Sequence, residues 1–311
     1  MNAKEQQTML ESKVPRITGL LVIEVRDSNP NGDPDNAGFP RQRPDDRGEI
    51  SPVSIKRKMR DLVERQEDEG ESLVWTHLKE RLNLDPDANG RFQILESRGR
   101  KREEITKLLE KDFAKFKATY WDARLFGNTF LEKDGKDTIR AGVAHFGVGV
   151  SVAPVRIRFE TWTNKSGVEE GKDRGLAPQA LKFVEHGIYI MPFFVNPTQA
   201  RKTGCTGDDV RLMLHLLKHA YRDNPSTGRT QVELIHAHAV EHQDVLGSFS
   251  DFALLDALKP VRKGDDLEKP STSRAEYHIP TWEEIEGKVV RKQAGKPLTW
   301  KDVGVHTDYV Q

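Results

Sequence analysis

The stretch from Asp27 to Arg60 restricts the fold more than any other part of this chain. It carries Pro30, Gly32, Pro34, Gly38, Pro40, Pro44, Gly48 and Pro52. Proline has a fixed φ and no backbone N–H, and glycine carries no side chain to pack, so neither a helix nor a central strand can run through this segment. Regular structure is predicted on both sides. Ile17 to Arg26 is β-branched and almost continuously apolar, as a central strand requires. Ile55, Met59, Leu62 and Val63 recur at helical spacing and predict a helix of about four turns. Ser51 or Ser54 suits its N-cap and Pro52 its first turn. The fold must therefore accommodate a strand and a helix joined by a long, stiffened loop.

At 100° per residue, Ile55, Met59 and Leu62 form the buried stripe of that helix, and Lys56, Arg57 and Arg60 share an outward arc. Lys58 projects elsewhere. The loop adds Arg41, Arg43 and Arg47. Cations beside the free N–H groups of a helix start suit the phosphates of a polyanion; a solvated cationic face is the ordinary alternative. Net charge does not decide between them, because Lys plus Arg and Asp plus Glu number 49 each. Any nucleic-acid site must come from local clustering.

The 311 residues are 36% apolar and 32% charged, enough for one large or two small folded domains. The lone Cys205 excludes an intrachain disulfide framework and fits a reducing cytosol. Met1 to Val14 is polar, a flexible tail without a signal-peptide core. The apolar runs Gly19–Val25 and Ile188–Val195 are far too short to span a bilayer. A cytoplasmic protein without membrane contact is expected.

Residues 64–120 read as a mostly helical insertion, with Leu73, Val74, Leu78 and Leu82 in one helix and Ile105, Leu108, Leu109, Phe113 and Phe116 in another. Pro154 to Trp162 and Val184 to Val195 read as strands, joined by a polar excursion. Thr206-Gly-Asp-Asp209 opens a helix carried by Val210, Met213 and Leu217. Val232 to His242 is the last core strand, read with Leu234, His236, His238 and Val240 on one face. The order strand, helix, strand, strand, helix, strand is that of an α+β, ferredoxin-like (RRM-like) βαββαβ unit. Residues 15–63 and 121–260 form it. Residues 261–311 are expected to pack irregularly on the core or on a neighbour.

Chemistry-bearing patterns are sparse. Asn29, Asn31, Asp33 and Asp35 alternate as in a calcium loop, but Pro34 stands where that loop needs glycine and Pro40 where it needs a bidentate glutamate. These side chains are expected to bond their own backbone instead. His215 and His219 lie one turn apart without the glutamate of a metalloprotease, and His236 and His238 share a strand face. Both pairs are read as structural, with no metal or cofactor expected. Cys205 precedes a helix, where a thiol pKa can fall, but no base can be matched to it. Gly247-Ser248-Phe249 lacks the nucleophile elbow, and the aromatic signature of an RNA-stacking sheet is missing.

Asn29-Pro-Asn-Gly-Asp-Pro-Asp35 followed by Ser54-Ile-Lys-Arg-Lys-Met-Arg60 resembles the CRISPR-associated backbone subunit of type I Cascade complexes, in the I-C and I-B-like branch of the RAMP superfamily. Asp122-Ala-Arg-Leu-Phe-Gly127, the glycine-bearing stretch ending at Ser151, Glu185–Ile190 with Phe194–Pro197, and Thr203–Asn224 continue the resemblance in order. It implies a right-hand shape with a ferredoxin-like palm, helical fingers at 64–120 and a thumb at 161–178. It implies copies arranged head to tail on a crRNA guide that pairs with target DNA, alongside other Cascade subunits and without nuclease activity. Its implied RNA contacts are Asn29, Asn31, Arg41, Arg43, Ser54 and the helical Lys56, Arg57 and Arg60. Arg124 and Ser151 in the palm and Lys172 and Arg174 in the thumb complete them. The alternative is an RNA endonuclease on the same scaffold, acting through His145, Asp33 or Asp35.

Overall fold

A computed structural model describes residues 13–311 except 65–69, 85–87, 98–100, 102, 106, 108–111, 128–140, 166–175, 225, 227, 265, 290–291, 294–295 and 298. One antiparallel sheet organises it. Its strands are β1 (Ile17–Ser28), β2 (Arg47–Ile50), β3 (Ala144–Phe146), β4 (Gly149–Pro154), β5 (Ile157–Lys165), β6 (Leu176–Val195), β7 (Val232–His242) and β8 (Gly304–Asp308). The order across the sheet is β8-β7-β1-β6-β4-β2, with β3 and β5 also paired to β6. The fold is mixed α/β.

β1 is buried on both faces, which explains its unbroken apolar run. Ile17, Leu21, Ile23 and Val25 meet one cluster of buried side chains, and Leu20 and Val22 meet another. The first cluster is closed by α1 (Pro52–Val63), α2 (Leu73–Arg81), α4 (Trp121–Phe126) and α5 (Gly207–Leu216). Between α2 and α4 lies α3 (Phe113–Thr119), so much of the described insertion is helical. Burying Ile55, Met59 and Leu62 of α1 contributes about 1.5–3 kcal/mol each. At 12 residues, α1 is slightly shorter than its spacing predicted.

The second face is covered by the chain after residue 250, and here the expectation of irregular structure fails. α6 (Asp251–Leu258) and α7 (Trp282–Val289) bring Leu254, Leu258, Ile285 and Val289 onto Leu20, Val22 and Val240. β8 then adds an edge strand to β7, with Asp308 opposite His238. The prolines had suggested loops; they fall between these short elements rather than inside them.

β7 also departs from simple alternation. Val22 pairs with His236 but Ile23 pairs with Leu234, so Ile235 is an extra residue in a bulge. Leu234 consequently joins the first cluster, whereas Val240 faces the second.

β6 reaches beyond its neighbours. Its residues 184–195 pair with β1, and residues 176–184 pair with β5 in a projecting hairpin.

Candidate nucleic-acid interface

The proline-rich loop is ordered by its own side chains, as the Asn and Asp spacing predicted. Asn29 donates through Nδ2 to the Gly38 carbonyl at 2.8 Å. Asp33 caps a short 3-10 turn over Pro34–Asn36. Ala37 (φ 47°) and Gly38 (φ 76°) then reverse the chain in the left-handed region. Asn31 is the hinge to the helix. Its Oδ1 accepts from the Ser51 backbone N–H (3.0 Å) and hydroxyl (2.9 Å), and Ser51 Oγ in turn accepts from Ser54 N–H to cap α1. Gln42 fastens the loop to the sheet by donating to the carbonyls of Asp46 and Val155.

A cleft of about 2140 Å³ opens beside this junction. Asn31, Arg41, Ser54, Arg57, Trp75 of α2, Asn224 and Arg229 are among the residues that line it. Its lining is of mixed charge, since Asp61, Glu64, Glu71 and Asp223 also face it.

The cationic arc of α1 is not free as the spacing implied. Arg57 is held by Asp61 (2.6 Å) and Glu64 (2.8 Å) of its own helix end, and donates to the Glu96 carbonyl. Arg60 is 5% exposed and pairs with Asp122 (2.9 Å) and Glu96 (3.0 Å). Asp122 is itself buried and accepts from the backbone N–H groups of Leu95 and Glu96. Arg60 is therefore a strut between α1 and α4, unavailable to a phosphate. Lys56 differs: half-buried, it lies over the Phe126 ring at 5.3 Å, and makes no ion pair among the described residues. Burial, and next the Arg60 charge, lower its pKa from the ordinary lysine value. The opposite side of the helix carries Lys58 over the Tyr221 ring at 4.8 Å.

Arg124 and Ser151 likewise turn inward. Arg124, 1% exposed, pairs with Asp209 at 2.8 Å and donates to the carbonyls of Arg91, Lys117 and Ala118. Ser151 accepts from Gly48 N–H and donates to the Ala153 carbonyl. Both are internal fasteners, so their expected RNA contacts are corrected. Arg41 pairs with Asp33 (3.1 Å) and Arg43 with Glu49 (3.3 Å), yet both stay solvent-accessible. Lys172 and Arg174 lie outside the described residues.

The residues weighed for catalysis are not brought into one network. Asp33 is occupied by its cap and by Arg41, while His145 lies on β3 near Lys56. Burial and the Lys56 charge hold the His145 pKa below its ordinary value. Cys205 is buried, and burial with nearby Asp209 pushes its thiol pKa well up, the reverse of an activated nucleophile. His215 packs edge-on against Tyr309 and His219 bonds Asp223, so that pair does not converge. The cleft residue Arg229 had no motif to mark it, and Asn224 only closed a matching segment; the chain reversal after α5 brings both to the cleft beside α1.

These features define a mixed α/β protein with a main antiparallel sheet of eight strands, a loop held by its own hydrogen bonds and a broad polar cleft. The chain belongs to the CRISPR-associated protein Cas7 family, whose sequence model matches residues 15–281. No curated protein matches it. Among solved structures it is similar to a chain of a CRISPR RNA-guided surveillance complex in a pre-nicking state, with 16% identity over 88% of this chain and 87% of that one, at a TM-score of 0.49. A second such surveillance complex gives 16% identity, coverages of 86% and 81%, and a TM-score of 0.40. A chain of the type III-B Cmr-beta complex bound to cognate target RNA gives 13% identity, 76% and 65%, and 0.36. No described helix is long and apolar enough to cross a membrane.

Proposed function

We propose that this protein is a crRNA-binding backbone subunit of a type I CRISPR surveillance complex, non-catalytic itself, that lines up in copies along the guide and presents it to target DNA. The observation that carries this reading is the family match across 15–281. The strand order β7-β1-β6-β4, with α1 and α5 on one face, supports the finer assignment of a ferredoxin-like palm. On that assignment residues 64–120 are the fingers and the β5–β6 hairpin is the thumb. Asn29 and Asn31 act by holding the loop, whereas Arg41, Arg43, Ser54 and Lys56 are its available polar groups. Contacts of this kind position a backbone without reading bases, as a carrier of arbitrary guides requires.

Fluorescence anisotropy with a labelled guide RNA tests the interface. Lys56→Ala combined with Arg41→Ala and Arg43→Ala should weaken binding and flatten its salt dependence by about one charge per lost contact. Arg57→Ala should change the slope little. Unaltered affinity and slope in the triple variant would remove the proposed interface. Site-specific cleavage of guide precursor or complementary RNA, abolished by Asp33→Ala, would replace the non-catalytic reading with the endonuclease.

A further inference from the structure

The sheet face beneath the C-terminal segment holds a second group of side chains, remote in role from the loop and cleft. β7 presents His236 and His238, and the neighbouring β8 presents His306 and Asp308. His236 Nδ1 lies 2.7 Å from Asp308 Oδ2. His238 Nδ1 lies 3.8 Å from the same oxygen and 3.1 Å from His306 Nε2. One donor atom each from His236, His238 and Asp308 falls within 4.8 Å of the others.

The carboxylate is aimed. Asp308 Oδ1 accepts from the backbone N–H groups of Ala237 (2.9 Å) and Val310 (3.1 Å), which leaves Oδ2 directed at the imidazoles. His236 and His238 are shielded from water, with His238 only 4% exposed. Trp282 stacks on His306 at 4.3 Å, and Trp300 meets Trp282 edge-on at 4.7 Å. The Gln311 carboxamide lies 3.3 Å from His236 Nδ1.

Hydrogen bonding alone does not satisfy this cluster. His238 Nδ1 faces His306 Nε2, so its buried, partnerless Nε2 is the nitrogen left to take a ligand, and leaving it unmatched costs about 1–3 kcal/mol. Two imidazoles and one carboxylate whose donor atoms all lie within 4.8 Å of one another match the three protein ligands of a zinc-like ion, whose ligands stand about 2.0–2.2 Å from the metal. Magnesium and calcium prefer oxygen donors and fit this set poorly.

We propose that His236, His238 and Asp308 bind one divalent transition-metal ion of the zinc class, fastening the edge strand β8 to β7, with His306 holding the His238 ring from the other side. Three protein ligands drawn from both strands leave the fourth tetrahedral position to water. Asp308 is oriented by its two backbone donors, the outer-shell arrangement such ligands use.

The full-length protein, stripped with a chelator and dialysed, tests this by titration with Zn²⁺, Co²⁺ and Mg²⁺. One equivalent of zinc should be retained. At roughly a hundredfold excess over Kd, zinc should raise Tm by about 5 °C and magnesium should not. Co²⁺ should develop visible absorption and quench the fluorescence of Trp282 and Trp300. His236→Gln and His238→Gln should abolish these responses, and His215→Gln should keep them. Wild-type protein that retains no zinc and shows no Tm or Co²⁺ response overturns the proposal, as does an undiminished response in both ligand variants. The wild-type measurements decide even if a variant fails to fold. None uses RNA, so the result is independent of the guide-binding reading.

Discussion

Arg124 sits where a charge survives only with its partner. Its guanidinium and Asp209 are 1% and 0% exposed. Arg124→Met should lower unfolding stability by about 3–5 kcal/mol, because it leaves a buried carboxylate uncompensated. Urea unfolding measures the loss, and guide affinity per folded molecule should stay within experimental error. His215 gives a pH signature. Burial, and then the charges of Arg81, Lys218 and Arg211, hold its folded pKa below 6.5. The unfolded chain therefore binds the proton more readily; the contribution is complete above pH 6.5 and is lost as pH falls below it. His215→Gln should flatten the stability profile below pH 6.5, measured by denaturant midpoints at each pH. At this scale the sequence revealed directions but not partners. Helical periodicity correctly placed Lys56, Arg57 and Arg60 on one arc. It could not foresee that Asp122, 62 residues from Arg60, would neutralise it across α4.

Elements were more legible where one physical signal dominated. The apolar continuity of β1, the cap of α1 by Ser51 and the Thr206–Asp209 capping box all followed from local residue chemistry. The bulge at Ile235 did not, because a single unpaired residue leaves no compositional trace. Nor did β8, whose Val305, His306 and Thr307 become a strand only through pairing with β7. Close packing between elements was equally hidden. A Cβ on Gly48 of β2 would stand 2.2 Å from the Tyr189 hydroxyl of β6. Gly48→Ala should push β2 off the sheet at a cost of about 1–3 kcal/mol. Hydrogen exchange should localise the loosening to β2, β4 and the loop pinned by Gln42; a variant with wild-type protection there would refute the account.

For the molecule as a whole, balanced charge and the proposed head-to-tail arrangement make one joint prediction. Contacts between unlike faces of successive copies do not close into a ring, so the assembly length follows the template. Mass photometry on guides of increasing length should show copy number rising in step, with the free protein remaining small. A fixed copy number on all guides would exclude such an array. One strand then acquires a mechanical meaning. β6 runs unbroken for 20 residues, roughly 65 Å at a strand's rise, clamped by β1 over one half and carrying the hairpin on the other. It is a cantilever whose root is the hydrophobic interior. Inserting residues in pairs into both arms of the hairpin would lengthen its reach while preserving which flank points outward, whereas a single insertion would turn that flank over. On the proposed reading, the interval this arm would span is a length built into the polypeptide, fixed before any template is met.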